Sequence, residues 1–466
     1  MENTYDVIVI GAGAAGLTAA YELSKNKPKC KIIVLEARDR IGGRLYPVSL
    51  KVKNGEKETF DLGGQWVCRS QKNITKLIDI FKLKTYEQYT KGSKLMELSL
   101  GEVTSHRDQV SSIGFFSSIE IFLALKKIDN MCKDVPLTKP EKSPHAMEWD
   151  GMTVETFKNQ TLWTTNAKRA FDLAVSNVFG LSPSQISLLY FLHYCNAAGS
   201  FAKLLDAENG GAQGEKIEGG LHQVCRLLRD EIGEENVLLG HAVAKINQDD
   251  DVVRITTSNG KSFESKYCIF AIPPKLVDKI EFTPELPYER RIQMRQIVMG
   301  CYTKFLATYE TSFWREAGLS GQLTRYTDNQ ESVASSPVSL VMDAVTSNNN
   351  AALVGFFTGF GASHWASKPD EEKKHAVLET LKSFFGSKAG KPLDFAIKDW
   401  CEDEWSGGCP VGIMTPGGIT QFGDILRKPY KRIHWAGTEL GTVWRGYVDG
   451  AVESGARAAR EIKEKL

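Results

Sequence analysis

The chain opens with short continuous apolar runs and later shifts to stretches in which apolar residues recur every third or fourth position. YDVIVI at 5–10 is apolar and β-branched on successive residues, as a strand buried on both faces of a parallel sheet would be. Glycines follow at once, then LTAAYELSK at 17–25, where Leu17, Ala20, Tyr21 and Leu23 fall at helical spacing. A second apolar run, KIIVL at 31–35, ends in Glu36. The predicted order is strand, glycine turn, helix, strand, acid. From residue 85 to 210 helical periodicity dominates, over 119–128, 154–157, 167–175 and 186–194, with a proline-rich loop at 135–144. Beyond Gly219 and Gly220 a helix is predicted at 221–232, then strands at 236–239 and 242–247. A hairpin follows, its strands at 252–257 and 262–265 joined through Asn259-Gly260. Another buried strand at 267–272 is stopped by Pro273-Pro274. Residues 300–309 alternate like a strand, with Lys304 as the only charge among them. Residues 432–439 read as strand then turn, and small residues at 446, 450, 451, 454 and 455 suit a helix packed tightly against sheet or ligand.

The glycine turn carries the first chemistry. In GAGAAG at 11–16, Gly11 suits a tight turn and Gly13 lets backbone approach a pyrophosphate. Gly16 lets the helix sit close to the strand, and the helix start at Ala14 offers N–H groups to a phosphate. Glu36, twenty residues after Gly16, is placed to accept hydrogen bonds from a ribose. Together these predict a dinucleotide site. Arg38, Arg40 and Arg44, with Gly42 and Gly43, exceed what a ribose needs and suit a long ligand whose phosphates continue past the first unit.

Composition narrows the class. The 466 residues hold 58 Lys+Arg against 57 Asp+Glu, so no strong field would draw nucleic acid or a membrane surface. The nine cysteines are odd in number, widely spaced and lack any C-x-x-C, which fits free thiols in a reducing compartment and no metal site. No basic stretch followed by an apolar core opens the chain, so no secretory leader is expected. The nearest candidate for a membrane span, 186–202, contains His193 and Asn196 and is read as a buried helix. The final Lys-Glu-Lys-Leu only loosely resembles a peroxisomal or retention tail, and the cytoplasm is the expected compartment.

GAGAAGLTAAYEL followed by LEARDRIGGR resembles the N-terminal signature of the flavin-containing amine oxidases, where it binds FAD. Polyamine, L-amino-acid and histone-demethylating oxidases and some desaturases share it, so it implies the cofactor and not the substrate. DLGGQWV at 61–67 resembles a segment that lies against the flavin, which would place Gly63, Gly64, Gln65 and Trp66 there; a plain glycine turn before a strand is the alternative. By position, Val243 would hold adenine through its backbone, and Gln213 is a weaker match to an amine-pocket glutamine. Lys304 is, from pattern alone, either a snorkelling lysine on an edge strand or a buried functional group. The resemblance, with Phe313-Trp314-Arg315 following, implies a lysine that holds a water at flavin N5.

DWCEDEWSGGCP at 399–410 resembles the monoamine oxidase segment that ends in a cysteine thioether-linked to the flavin. Cys409 matches that cysteine and Trp400 a tryptophan nine residues earlier. A buried free thiol is the alternative for Cys409. Gly437, Thr438, Glu439, Gly446, Tyr447 and Val448 carry over as FAD or pocket residues, and the helix N-terminus after Tyr447 would face the flavin pyrimidine. One position departs from the pattern. Monoamine oxidases flank the amine with two tyrosines; Tyr447 matches one, and Pro410 stands where the other would be. Trp405 or Trp66 is the nearest substitute.

The expected fold is α/β: a Rossmann-like FAD domain from 1–84, 210–290 and 396–466, and a mixed α+β substrate domain from 85–209 and 291–395. The expected function is oxidative deamination of a primary amine, with hydride passing from the α-carbon to FAD N5 and aldehyde, ammonia and hydrogen peroxide as products. Lys304 and Tyr447 are the expected catalytic residues. An amine and dioxygen are the expected partners, with room for a homodimer. The resemblance stops where animal monoamine oxidases continue into a membrane anchor, so a soluble protein is expected. The alternatives are a polyamine or L-amino-acid oxidase, the latter requiring an arginine for the carboxylate, and a catalytically weak FAD-binding protein, motivated by Pro410.

Overall fold

The computed structural model describes residues 4–25, 30–106, 113–208, 210–327 and 329–466. Asn209, which opens the glycine-rich stretch read from the sequence, lies outside them.

The apolar run Thr4–Ile10 lies inside an eight-stranded sheet, paired in parallel with Ile32–Leu35 on one side and Ser262–Phe270 on the other. Both its edges are thus covered, and Val7, Ile8 and Val9 are fully buried. Val237–Leu238 extends the sheet in parallel beyond Ile32–Leu35. Val253–Thr257 and Val243–Gln248 extend it antiparallel on the other side. The two strands expected at 262–265 and 267–272 are one continuous strand of nine residues. Its burial pattern changes midway because its neighbour changes: the first half pairs with Val253–Thr257, and the second half lies between Thr4–Ile10 and Ile433–Trp435.

The helix Ala14–Ser24 packs on the C-terminal helix Val448–Lys463, whose buried residues are Asp449, Val452 and Ile462 together with the small Gly450, Ala451, Ser454, Gly455, Ala458 and Ala459. The small side chains bring the two backbones close; the tight packing follows the spacing of small residues, but the partner here is a helix where sheet or ligand was expected.

A second, seven-stranded sheet runs in the order Asp394–Asp399, Tyr302–Tyr309, Ala351–Thr358, Leu340–Asp343, Leu319–Arg325, Ser93–Ser99, Glu102–His106. It is mixed: Leu319–Arg325 and Ser93–Ser99 pair in parallel, the rest antiparallel. Tyr302–Tyr309 is no edge strand. It is held between two neighbours, and all eight of its residues are buried. The expected domain boundary at 395/396 falls inside Asp394–Asp399, a strand that belongs to this second sheet.

Helices pack around the second sheet. The apolar stretch 186–202 forms two helices, Leu188–Ala198 and Phe201–Leu205, broken at Gly199. Ser187 and Ser200 cap them by accepting N–H bonds from Tyr190 and Lys203. Among the described residues, no helix is long and apolar enough to cross a membrane, and no cluster could hold a metal ion.

Candidate active site

A cavity of about 460 Å³ is lined from both sheets, a volume typical of ligand pockets. Gly11, Gly13, Ala14, Glu36, Arg38 and Val243 line it from the strand–turn–helix unit and its sheet. At Gly13, which caps the helix, an added Cβ would meet nothing within 4 Å, so bare backbone faces the cavity. Gly16 does not line the wall. Its Cβ would stand 1.9 Å from the Gly11 carbonyl oxygen, so its part is to let the helix close on the turn. Glu36 is buried and accepts N–H bonds from Ala12 (2.7 Å) and Arg38 (3.0 Å). These bonds fix the carboxylate in the wall.

The three arginines part company. Arg38 lines the cavity, anchored by Asp403 and by a 2.9 Å bond to Ser406 Oγ. Arg44 lines it too, and its Nη1 donates to Glu439 Oε1 and the Pro410 carbonyl, both at 2.7 Å. Arg40 turns away, donating to the carbonyls of Ile41, Leu45 and Gly43. Glu439, expected in the cofactor site, sits behind the wall as the partner of Arg44. Burial alone would raise its carboxyl, but the Arg44 charge and hydrogen bonds outweigh that and hold it below the usual carboxylate range. Gly437, Thr438 and Val448 line the cavity, and Thr438 Oγ1 donates to the Tyr447 carbonyl at 2.7 Å.

Lys304 is buried in the sheet and reaches into the cavity wall. Its Nζ donates to Gly63 O at 2.7 Å and to Gln65 Oε1 at 2.6 Å, which leaves one N–H of an ammonium uncommitted. Gly63, Gly64, Gln65 and Trp66 all line the cavity beside it. Burial pushes the Lys304 ammonium down to about 7, with Asp61 opposing the shift. Asp61 lies on a small polar cavity of about 30 Å³ that it shares with Gln65, Tyr86 and Lys216. Burial raises the Asp61 carboxyl to about 6 against an N–H bond from Leu221, and lowers Lys216 to about 8.

Cys409 and Trp400 line the cavity next to Arg44 and Lys304. Cys409 N donates to Gly300 O (2.9 Å) and Trp400 Nε1 to Leu62 O (3.2 Å), which ties this segment to the lysine strand and to the DLGG turn. Burial pushes the Cys409 thiol up. Tyr447 lines the cavity with its ring against Trp444 and Tyr194, centroids 5.1 and 6.4 Å away. Gly446 must be a glycine there, since a Cβ would stand 2.2 Å from the Tyr194 hydroxyl. Pro410, Trp66 and Trp405 are also in the wall.

Gln65 Nε2 and Gln213 Oε1 are buried without a hydrogen-bond partner, and both residues line the cavity. Together with the bare backbone at Gly13 they fit a ligand that brings its own donors and acceptors, as FAD does. The apolar part of the wall was not singled out from the sequence: Tyr194, Tyr302, Leu340, Met342 and Phe356. Tyr302 carried a usable signal, since it lies two residues before Lys304 on the same strand and so shares its face.

The family described as flavin containing amine oxidoreductase matches residues 14–463 of this chain. An amine oxidase [flavin-containing] A of Equus caballus is 35% identical over 467 residues, which cover 100% of this chain and 86% of that one. Among solved structures, the cyclohexylamine oxidase of Brevibacterium oxydans superposes with a TM-score of 0.89 at 31% identity, over 99% of both chains. A wild-type putrescine oxidase bound to putrescine gives 0.90 at 27% identity, again over 99% of both. The match runs through both sheets and the cavity between them, and the chain belongs to the family of flavin-containing amine oxidases.

Proposed function

We propose that this flavin amine oxidase deaminates a primary amine, and that the cavity wall divides between holding FAD and holding the amine. Gly11, Gly13, Ala14, Glu36, Arg38, Arg44, Val243, Gly437, Thr438 and Val448 would hold FAD, with Cys409 as a covalent tether. On this reading residues 1–84, 210–290 and 400–466 serve the cofactor, and 85–209 and 291–399, which keeps the strand Asp394–Asp399 whole, the substrate. When bound, FAD supplies at N5 the acceptor for hydride leaving the amine α-carbon, with dioxygen ending as hydrogen peroxide and the imine hydrolysing to aldehyde and ammonia.

The observation that carries the reading is the setting of Lys304. An amine lodged in a buried strand, already bonded to Gly63 and Gln65, has one direction left in which to orient a water. The aromatic and aliphatic side chains around it keep bulk water out. Tyr447 presents a ring to the amine, whose π face favours a nitrogen carrying partial positive charge. Pro410 offers no aromatic ring on the other side, but Trp66, Trp405 and Tyr302 supply aromatic surface within the same wall.

The composition of the wall bears on the substrate. Among the described residues, the lining contributed by residues 85–209 and 291–399 includes no arginine, so nothing there pairs bidentately with an amino-acid carboxylate. It does include Asp206, which favours a diamine as the second reading. Steady-state assays with phenethylamine, putrescine, N-acetylspermine and leucine, following peroxide and ammonia, separate these. Turnover of phenethylamine above the rest is expected, and preference for leucine overturns the reading. Acid precipitation tests the tether: yellow colour stays with the pellet, and is released from Cys409→Ala.

A further inference from the structure

Three of the nine cysteines are not fully buried: Cys301, Cys401 and Cys409. Cys409 has a place in the cofactor site. The other two belong to no part of the reaction, and the fold sets them against each other. Thr303 pairs antiparallel with Asp399, and Trp400 N donates to Tyr302 O at 3.0 Å, which carries the register one step further. The next residues out, Cys301 and Cys401, therefore oppose one another. Their backbones make no bond across this pair: Cys301 N donates to Gly180 O, Cys301 O accepts from Gly359 N, and Cys401 N donates to Asp399 Oδ1. A non-hydrogen-bonded antiparallel pair brings its Cα atoms to about 4.5 Å, within the roughly 4.4–6.8 Å that a disulfide spans. Both side chains pack against one apolar cluster, and Cys401 Sγ lies 3.9 Å from the carbonyl oxygen of Tyr302, the residue next to Cys301.

We propose that Cys301 and Cys401 form a peroxide-oxidisable dithiol, a modification site separate from the amine chemistry. One thiolate of the pair attacks one oxygen of hydrogen peroxide, the O–O bond breaks, and hydroxide leaves with the electron pair and is protonated to water. The other thiol then displaces the sulfenic oxygen, which leaves as a second water. Two thiols and one peroxide give one disulfide and two waters, with two electrons passing from sulfur to peroxide. The six buried cysteines are shielded from this reaction. The bond would pin the turn after Trp400, a residue of the cavity wall, to the start of the lysine strand.

The test uses the purified full chain, reduced, desalted, exposed to hydrogen peroxide, alkylated and digested without reductant. Mass spectrometry is expected to find the peptides of Cys301 and Cys401 joined, with the mass of two hydrogens lost. Neither Cys301→Ser nor Cys401→Ser gives the linked pair. A second probe needs no oxidant: phenylarsine oxide, which bridges neighbouring thiols, is retained by the reduced protein and lost from each serine variant. Both thiols still alkylatable after peroxide, a link from Cys401 to Cys409, sulfinic acid without any link, or arsenical retained by both variants would each overturn the proposal.

Discussion

The cavity wall taken from residues 11–44 and the wall taken from the seven-stranded sheet are built in different ways. The first is backbone and charge: glycine N–H groups at a helix start, Glu36 held by two N–H bonds, Arg38 and Arg44 each braced by an acid. The second is side-chain surface: Tyr302, Leu340, Met342 and Phe356 around one buried amine. Behind the cavity the backbone cradle tolerates no added atoms, because a Cβ at Gly16 would meet the Gly11 carbonyl and one at Gly11 the Ala271 carbonyl, neither of which can yield, whereas Gly13 is open on the cavity side. A side-chain wall can be recut residue by residue while its sheet stands. A constant cofactor suits the first wall and a changeable substrate the second.

Changes to the cradle should therefore cost the cofactor, and changes to the sheet wall should cost only rate or preference. The largest effect is expected for Gly16→Val, whose Cβ would stand 1.9 Å from Gly11 O; the purified protein should carry essentially no flavin, read as visible absorbance per chain. Lys304→Met keeps the flavin and lowers kcat by about a hundredfold or more, the range for a positioned proton-handling group, in stopped-flow or steady-state assays. Arg44→Ala strands Glu439 as an unpaired buried carboxylate. Breaking such a pair costs about 3 kcal/mol or more, seen as a lower midpoint in denaturant and easier release of flavin from a Cys409→Ala background.

Acidity supplies a subtler contrast. Burial pushes the Lys304 ammonium down to about 7 in the fold, against about 10.4 in an unfolded chain. Between those values unfolding takes up a proton, so stability rises with pH by at most about 1.4 kcal/mol per unit from this group. Lys216, at about 8 in the fold, adds a similar share above its own value. Denaturation from pH 7 to 10 should show the rise, and Lys304→Met should remove part of it. The smallest effect is expected for Leu340→Ala, which lines the sheet wall: KM for a bulky amine shifts by about tenfold, kcat moves less, and flavin content stays unchanged.

Much of the cradle was legible because it is contiguous. A strand, three glycines, a helix and an acid within about thirty residues fix their own geometry, and the structure puts Gly13, Ala14 and Glu36 in the cavity wall as expected. Cys409, Trp400 and Tyr447 were reached through resemblance, and all three line the same cavity. What failed was direction. Arg40 lies two residues from Arg38 yet turns to carbonyls, and Glu439 works behind Arg44, whereas Gly16 does let the helix close on the strand as its spacing implied. Charge and spacing say that a group is near a ligand, not which way it points. The sheet wall and the Cys301–Cys401 pair depend on register between strands nearly a hundred residues apart, which no local pattern carries. The nine-residue strand Ser262–Phe270 was split in reading because its neighbours change along its length.

The central claim is that this wall brings an amine and FAD together for electron transfer, and anaerobic mixing tests it most directly. The purified protein, yellow as isolated or after incubation with FAD, should lose its visible flavin band when phenethylamine is added without oxygen, and regain it when air is admitted. A band that stays unchanged with phenethylamine, putrescine, N-acetylspermine and leucine alike would contradict the account and leave a protein that holds the flavin without using it.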